Sequence, residues 1–259
     1  MTFKRLMRFL IIGAVSLLPA LLRAEPANLM IYCGITMVRP ITELARSFEQ
    51  REKVKVEIAQ GGSEDLYQSA RKSRYGDIYF PGEPSYRDRH LAEGLLGDYR
   101  IVGYNQLALF VQKGNPKQVA PNLNEHFRKD LVVMIGNAES GSVGQATKQM
   151  LDKLSIYPKV VRKAAFLMPD SRSINLSMKR HEADLTINWR ATAYFPDNAT
   201  HIDVIDLDPA IAKPQALMLM PLNFSKNPQL AKKFIDYVAS SDGQATFRKF
   251  GFLDAQGKR

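Results

Sequence analysis

From residue 29 onward, without any internal repeat, the chain alternates short apolar runs with segments whose apolar positions fall three and four apart. Apolar runs of four to eight residues have the length of strands buried on both faces, and the three-and-four spacing is the period of one helix face. A helix placed between two strands carries the chain back to the start of the next one, which is what parallel pairing requires. The pattern therefore predicts an α/β fold, with mostly parallel sheets flanked by helices. Residues 29–32, 53–58, 77–80, 106–111, 131–135, 184–188, 201–205 and 216–220 read as strands. Residues 40–48, a segment opened by Ser63, one ending at Gly94, one running through Leu154, and 228–238 and 243–250 read as helices. A length of 259 residues suffices for one large domain or two smaller ones.

Three of the strand-to-helix loops are rich in glycine and hydroxyl residues. They are Cys33-Gly34-Ile35-Thr36-Met37, then Gln60-Gly61-Gly62-Ser63, then Glu139-Ser140-Gly141-Ser142-Val143-Gly144. Each can present backbone N–H groups and a hydroxyl at a helix N-terminus, the end of the helix dipole that attracts negative charge. One such loop is an ordinary N-cap. Three in one α/β chain point to a shared anion site at the carboxyl ends of strands. None has the spacing of a triphosphate or dinucleotide loop. The segment 184–190 adds the only tryptophan, Trp189, beside Arg190, whose planar fork of donors suits an oxyanion. Ser171-Arg172-Ser173 is a similar, smaller cluster.

Charge and composition exclude several function classes. Of the formal net charge of +10, four units come from Lys4, Arg5, Arg8 and Arg23, with no acid in the first 24 residues. The remaining excess is mild and spread out, and no basic helix interleaved with aromatics occurs, so nucleic acid is not an expected partner. A single cysteine, Cys33, excludes an internal disulfide framework and a multi-cysteine metal site. His90, His126, His181 and His201 lack metal-ligand spacing, and no G-x-S-x-G elbow is present. An enzyme would have to use Cys33 or a His–Asp pair. A ligand-presenting sensor module is a further alternative.

Residues 1–24 have the order of an export signal: a basic start, an apolar stretch over 9–22 too short to span a bilayer, and Ala24 before Glu25-Pro26. A periplasmic location is expected.

The order of motifs resembles the periplasmic substrate-binding proteins of molybdate-type ABC transporters. The resemblance rests on residues 31–37, 40–48, Gly61-Gly62-Ser63, 76–82, Glu93-Gly94-Leu95 and 111–116. In the second half it rests on 182–190, 231–238 and Phe250-Gly251-Phe252. It implies a type II periplasmic binding protein fold, two lobes closing like a hinge. Lobe I would take 25–103 and 218–259, and lobe II 104–217. It also implies capture of an oxyanion such as molybdate or tungstate, without a cofactor or metal, by a monomer that delivers it to the membrane permease of an ABC transporter. By position, Thr36 and Ser63 match the lobe I hydroxyls, Val143 and Ser171 match backbone-amide positions, and Trp189 falls where such proteins commonly have a tyrosine. Arg190 is a further candidate ligand-binding residue. Three departures stand out. Ile35-Thr36 occupies a loop where small residues are usual, an indole N–H replaces a tyrosine hydroxyl, and Arg172 and Arg190 add charge. These leave the choice among molybdate, tungstate, sulfate and other oxyanions open.

Overall fold

The computed structural model describes residues 28–258. The expected signal segment, 1–24, lies outside the described residues. In chain order the elements are β1 (Asn28–Gly34), α1 (Val38–Glu52), β2 (Lys55–Gly61), α2 (Ser63–Ser73), β3 (Ile78–Phe80), α3 (Ser85–His90) and β4 (Arg100–Asn105). Next come β5 (Leu107–Gln112), β6 (Val133–Gly136), α4 (Ser142–Lys153), α5 (Tyr157–Lys163), β7 (Phe166–Met168), α6 (Ser171–Lys179) and β8 (Leu185–Trp189). The chain closes with α7 (Pro196–Ala199), β9 (Ile202–Asp206), β10 (Gln215–Pro221), α8 (Pro228–Val238) and α9 (Ser241–Lys249).

Local sequence accounts for most of these elements. In α1, Ile41, Leu44, Ala45 and Phe48 are buried along one stripe, Pro40 sits in the first turn, and Lys53 ends the helix with φ 57°. Every residue of β5 and of β8 is buried, as expected for central strands covered on both faces, although β8 carries the polar Thr186 and Asn188 among its apolar residues. β4, α5, β7, α6 and the short α7 have no counterpart in the sequence reading.

The strands form two five-stranded sheets, ordered β2-β1-β3-β10-β4 and β7-β6-β8-β5-β9. The two orders are the same pattern. In each, the lobe's own second, first, third and fourth strands share one direction. A single reversed strand, β10 or β5, sits between the third and the fourth. Each reversed strand comes directly off a crossing from the other sheet, at Gln106 or through 207–214. The sheets are thus mixed where the chain crosses and parallel elsewhere, in the expected two-lobed architecture. Each lobe has its own apolar core. Phe110, Ile135, Leu151, Ile174 and Trp189 lie in one, and Ile31, Phe48, Phe80, Phe234 and Phe247 in the other. Ala191 and Phe195, which follow β8, pack into the first lobe's core and tie the lobes together.

Candidate functional site

In the first lobe, β1 runs through Gly34 into the short 3-10 turn Ile35–Met37. A Cβ on Gly34 would stand 3.1 Å from the Gly82 nitrogen, so the two backbones touch. Thr36 is 3% exposed, and its hydroxyl has no partner among the described residues. Gly62 is the N-cap of α2 and provides no side-chain acceptor, so the first-turn N–H groups keep their unsatisfied donors. The Ser63 hydroxyl accepts the Gly82 N–H at 3.0 Å. Its single hydrogen is therefore left to donate. The Tyr79 hydroxyl donates to the Ser63 carbonyl at 2.8 Å and fixes that residue from behind. Glu64, next in the turn, is drawn away from the cleft. Burial alone would raise its carboxyl, but hydrogen bonds from Gln68 and His90 and the charges of His90 and Arg89 bring it below the usual range.

The second lobe repeats the device. Gly141 is the N-cap of α4, again without a side-chain acceptor. A Cβ on Gly144 would lie 2.1 Å from the Asn137 carbonyl, so the first turn of α4 packs on its own loop and only glycine fits. The Ser142 hydroxyl accepts the indole N–H of Trp189 at 3.2 Å, which leaves its hydrogen free to donate too. α6 differs, because Asp170 caps it by accepting the Ser173 N–H at 2.8 Å. The Ser171 hydroxyl donates to Asn188 Oδ1 at 2.6 Å, so toward the cleft Ser171 offers its backbone N–H, not its O–H.

The two sets of loops meet. A Cβ on Gly82 would fall 2.3 Å from Ser142 Oγ, and one on Gly62 would fall 3.0 Å from the Ser140 carbonyl. Arg172 reaches across and donates from Nη2 to Gln60 Oε1 at 2.8 Å. Between the loops lies a cavity of about 10 Å³, lined by Ile35, Ser63, Ser142, Val143, Asp170 and Ser171 among others. That is about the space one water needs. A second cavity, of about 370 Å³, lies beside it and shares Ile35 and Ser171 with it. Thr36, Arg39, Arg172, Asn175 and Lys179 line this larger space.

The residues singled out in the sequence separate into three groups. Ser63, Val143 and Ser171 line the small cavity, while Thr36 and Ser171 line the larger one. Trp189 is wholly buried and its N–H is spent on Ser142, so it positions a donor instead of being one. Arg190 lines neither cavity. Its Nε donates to Asp206 Oδ1 at 2.7 Å and its Nη2 to the Tyr194 hydroxyl at 2.6 Å. Its backbone N–H reaches the Gln106 carbonyl at 2.8 Å, so it braces both crossings between the sheets. Ser142 and Gly82 are the residues that sequence reasoning passed over, although Ser142 sits in one of the three loops and Gly82 ends the stretch 76–82 that carries the resemblance. Cys33 is fully buried, and burial pushes its thiol far above the ordinary range, away from the thiolate a nucleophile needs. His90 lies between Glu64 and Glu93 on the outer side of α2. Among the described residues no cluster of three or more His, Cys, Asp or Glu side chains is placed to hold a metal ion.

Residues 29–253 match the model of a family described as bacterial extracellular solute-binding proteins. A Bacillus subtilis protein provisionally named an ABC transporter substrate-binding lipoprotein, YvgL, is 25% identical over 76% of this chain and 70% of its own length. Among solved structures, the periplasmic molybdate-binding protein of Azotobacter vinelandii superposes with a TM-score of 0.73 at 14% identity, over 87% of this chain and 98% of that one. The sulfate-binding protein SubI of Mycobacterium tuberculosis superposes with a TM-score of 0.76 at 14% identity, over 88% and 87%. A thiamin-binding protein and iron-bound HitA of Pseudomonas aeruginosa share the fold as well.

Proposed function

The chain belongs to the bacterial extracellular solute-binding protein family, and from that premise we propose that it captures an oxyanion between its lobes in the periplasm and hands it to the permease of an ABC transporter. The observation that carries this reading is the pairing of Ser63 with Ser142. Each begins a helix whose N-cap is a glycine, each has its oxygen already engaged as an acceptor, and both line one small cavity from opposite lobes.

An oxyanion entering the cleft loses its water, which is costly unless fixed donors replace it. The free first-turn N–H groups of α2 and α4 and the two serine hydroxyls are such donors. Each charge-assisted hydrogen bond contributes about 1.5–3 kcal/mol. Because the donors come from both lobes, the closed arrangement binds more tightly than an open one, and the ligand shifts the balance between them. Closure pivots at the two crossings, Gln106 and 207–214, and the permease reads the closed shape. The cavity between the donors holds about one water in the closed form, so the lobes part to admit an anion with several oxygens.

Titration calorimetry of the mature protein against molybdate, tungstate, sulfate and phosphate tests the reading. Ser63→Ala, Thr36→Ala and Ser142→Ala are each expected to weaken binding of the preferred anion by about ten- to a hundredfold, equivalent to about 1.5–3 kcal/mol, without unfolding the protein. Unchanged affinity in all three would remove the site.

A further inference from the structure

We infer that His90 is a positioning residue for anion binding: as an imidazolium it ties Glu64 to the outer side of α2 and keeps that carboxylate off the helix end that Ser63 opens. This rests on the anion reading above and adds a control on the same site. Two acids, Glu64 and Asp65, directly follow Ser63 in the first turn of α2. The positive end of a helix attracts a carboxylate of its own as it attracts any other anion, and a first-turn side chain can reach back to the free N–H groups. A carboxylate settled there would compete with a ligand for the same donors. Asp65 is exposed, and water screens its charge. Glu64 is partly buried and needs another restraint.

Three groups hold Glu64. Gln68 Nε2 donates to its Oε1 at 2.8 Å, and Arg89 Nη1 donates to its Oε2 at 3.1 Å. His90 Nε2 lies 3.1 and 3.0 Å from the two oxygens. The other ring nitrogen faces a second carboxylate, with Nδ1 2.8 Å from Glu93 Oε1. A neutral imidazole has one N–H and one lone pair, so one of its nitrogens would oppose a carboxylate without a proton between them. Only the imidazolium donates at both. The ring is fixed in this position: His90 is 6% exposed and stacks on Tyr67 with 3.8 Å between centroids. The charged groups around it are Glu64 and Arg71 from α2, Arg89 from α3 and Glu93 from the turn Leu91–Glu93, with Arg71 paired to Glu93 and Arg89 to Glu64. Burial pushes the neighbouring Tyr67, Tyr79 and Tyr86 hydroxyls up, so they stay neutral. The hydrogen bond from His90 holds Glu93 below the ordinary carboxylate range, and Glu64 lies below it as well, so both keep their charge near neutral pH. Histidine is the side chain whose charge changes between pH 5 and 8. Loss of the His90 proton thus leaves an uncompensated negative charge beside Ser63 and releases one hold on Glu64.

The test is calorimetry on the mature protein at pH 5.5, 7 and 8.5 with molybdate, tungstate, sulfate and phosphate. Glu64→Gln serves as the reference that removes the carboxylate and cancels any titration of the probe. Wild-type affinity for the preferred anion, taken relative to Glu64→Gln, is expected to fall about tenfold between pH 5.5 and 8.5. His90→Gln is expected to bind about tenfold more weakly than wild type at pH 5.5 and to lose this pH dependence. In the Glu64→Gln background the same His90→Gln change is expected to alter affinity by less than about twofold, because nothing is left to hold back. Wild-type affinity in His90→Gln would overturn the inference, and so would an equal loss in both backgrounds, which is the mark of a purely structural role. Should His90→Gln fail to fold, the wild-type pH profile against Glu64→Gln decides alone, and a flat ratio overturns the inference while leaving the anion site standing. Binding of none of the four anions by wild type would overturn the anion reading itself, and this inference with it.

Discussion

In the first lobe the helix facing the cleft starts at Gly62, and its serine hydroxyl is held by a backbone N–H, that of Gly82. In the second lobe the matching helix starts at Gly141, and its serine hydroxyl is held by a side chain, the indole of Trp189. The sheets behind them have the same strand order. Shared topology therefore accounts for a bare helix end on each side of the cleft, while the orientation of each hydroxyl depends on whatever donor stands behind it. A backbone donor keeps its chemistry through substitution and is disturbed only by steric change. A tryptophan donor links the cleft to the packing of its whole lobe.

The largest effect that would sharpen this contrast comes from Trp189→Ala. Removing a fully buried indole from the second lobe's core is expected to cost about 3–5 kcal/mol, read by denaturant unfolding. Amide hydrogen exchange is expected to rise in β5, β6 and β8 and to stay near wild type in β1 and β3. Equal loss of protection in both lobes would break the comparison and make them one cooperative unit.

Acid should separate the lobes next. His126 lies wholly buried in the second lobe, with its Nδ1 against the Leu123 carbonyl, and burial lowers its pKa from 6.5 to about 4. A base whose folded pKa is depressed stabilises the fold above its unfolded pKa, and that stability is lost as the pH falls from about 6.5 to about 4. The amount at stake is about 3 kcal/mol. In the first lobe the buried Glu83, held by Ser85, has its carboxyl raised by burial, which gives the opposite sign. Its stabilising contribution is complete below the ordinary glutamate pKa and is lost as the pH rises through the raised value. Melting curves from pH 7 to pH 4 are expected to flatten in His126→Gln. An unchanged slope would show that His126 does not set the acid sensitivity.

Gly82→Ala should give the smallest of the three effects and the most local. The new methyl would overlap Ser142 Oγ at 2.3 Å but sit 3.6 Å from Ser63 Oγ, so it opposes closure without disturbing its own lobe. Anion affinity is expected to fall about tenfold, equivalent to about 1.4 kcal/mol, with the unliganded melting temperature within a degree of wild type. Wild-type affinity would mean that the bound form never brings Gly82 to Ser142.

Much of this was legible in the residues, and the exceptions have physical causes. The strands that read as apolar runs form at the sheet centres, and the three glycine-and-hydroxyl loops do converge on adjoining cavities. β4 is hidden because Gly103 interrupts its pattern. That glycine sits at φ 157°, where a Cβ would be 2.6 Å from the Leu253 carbonyl. α6 is hidden because its buried face includes Asn175 and Ser177, which blur the apolar period. β7 is a three-residue edge strand with Phe166 and Leu167 exposed. The role of Ser142 depends on a residue 47 positions away, a relation that no local pattern contains. Arg190 has the chemistry of an anion ligand, but the salt bridge to Asp206 uses it at the crossings.

The reversed strands carry a consequence for how the molecule assembles. Everything the second sheet needs lies between residues 107 and 206, in one unbroken stretch of chain. The first sheet leaves a gap between β3 and β4 that only β10, at Gln215–Pro221, can fill. Closing that gap joins segments more than a hundred residues apart in sequence, the kind of long-range contact that slows folding. The lobe that opens the chain is thus the last to be completed. Until the closing strand arrives, its half of the cleft presents two bare sheet edges, the surface on which an exported chain is most exposed to mispairing.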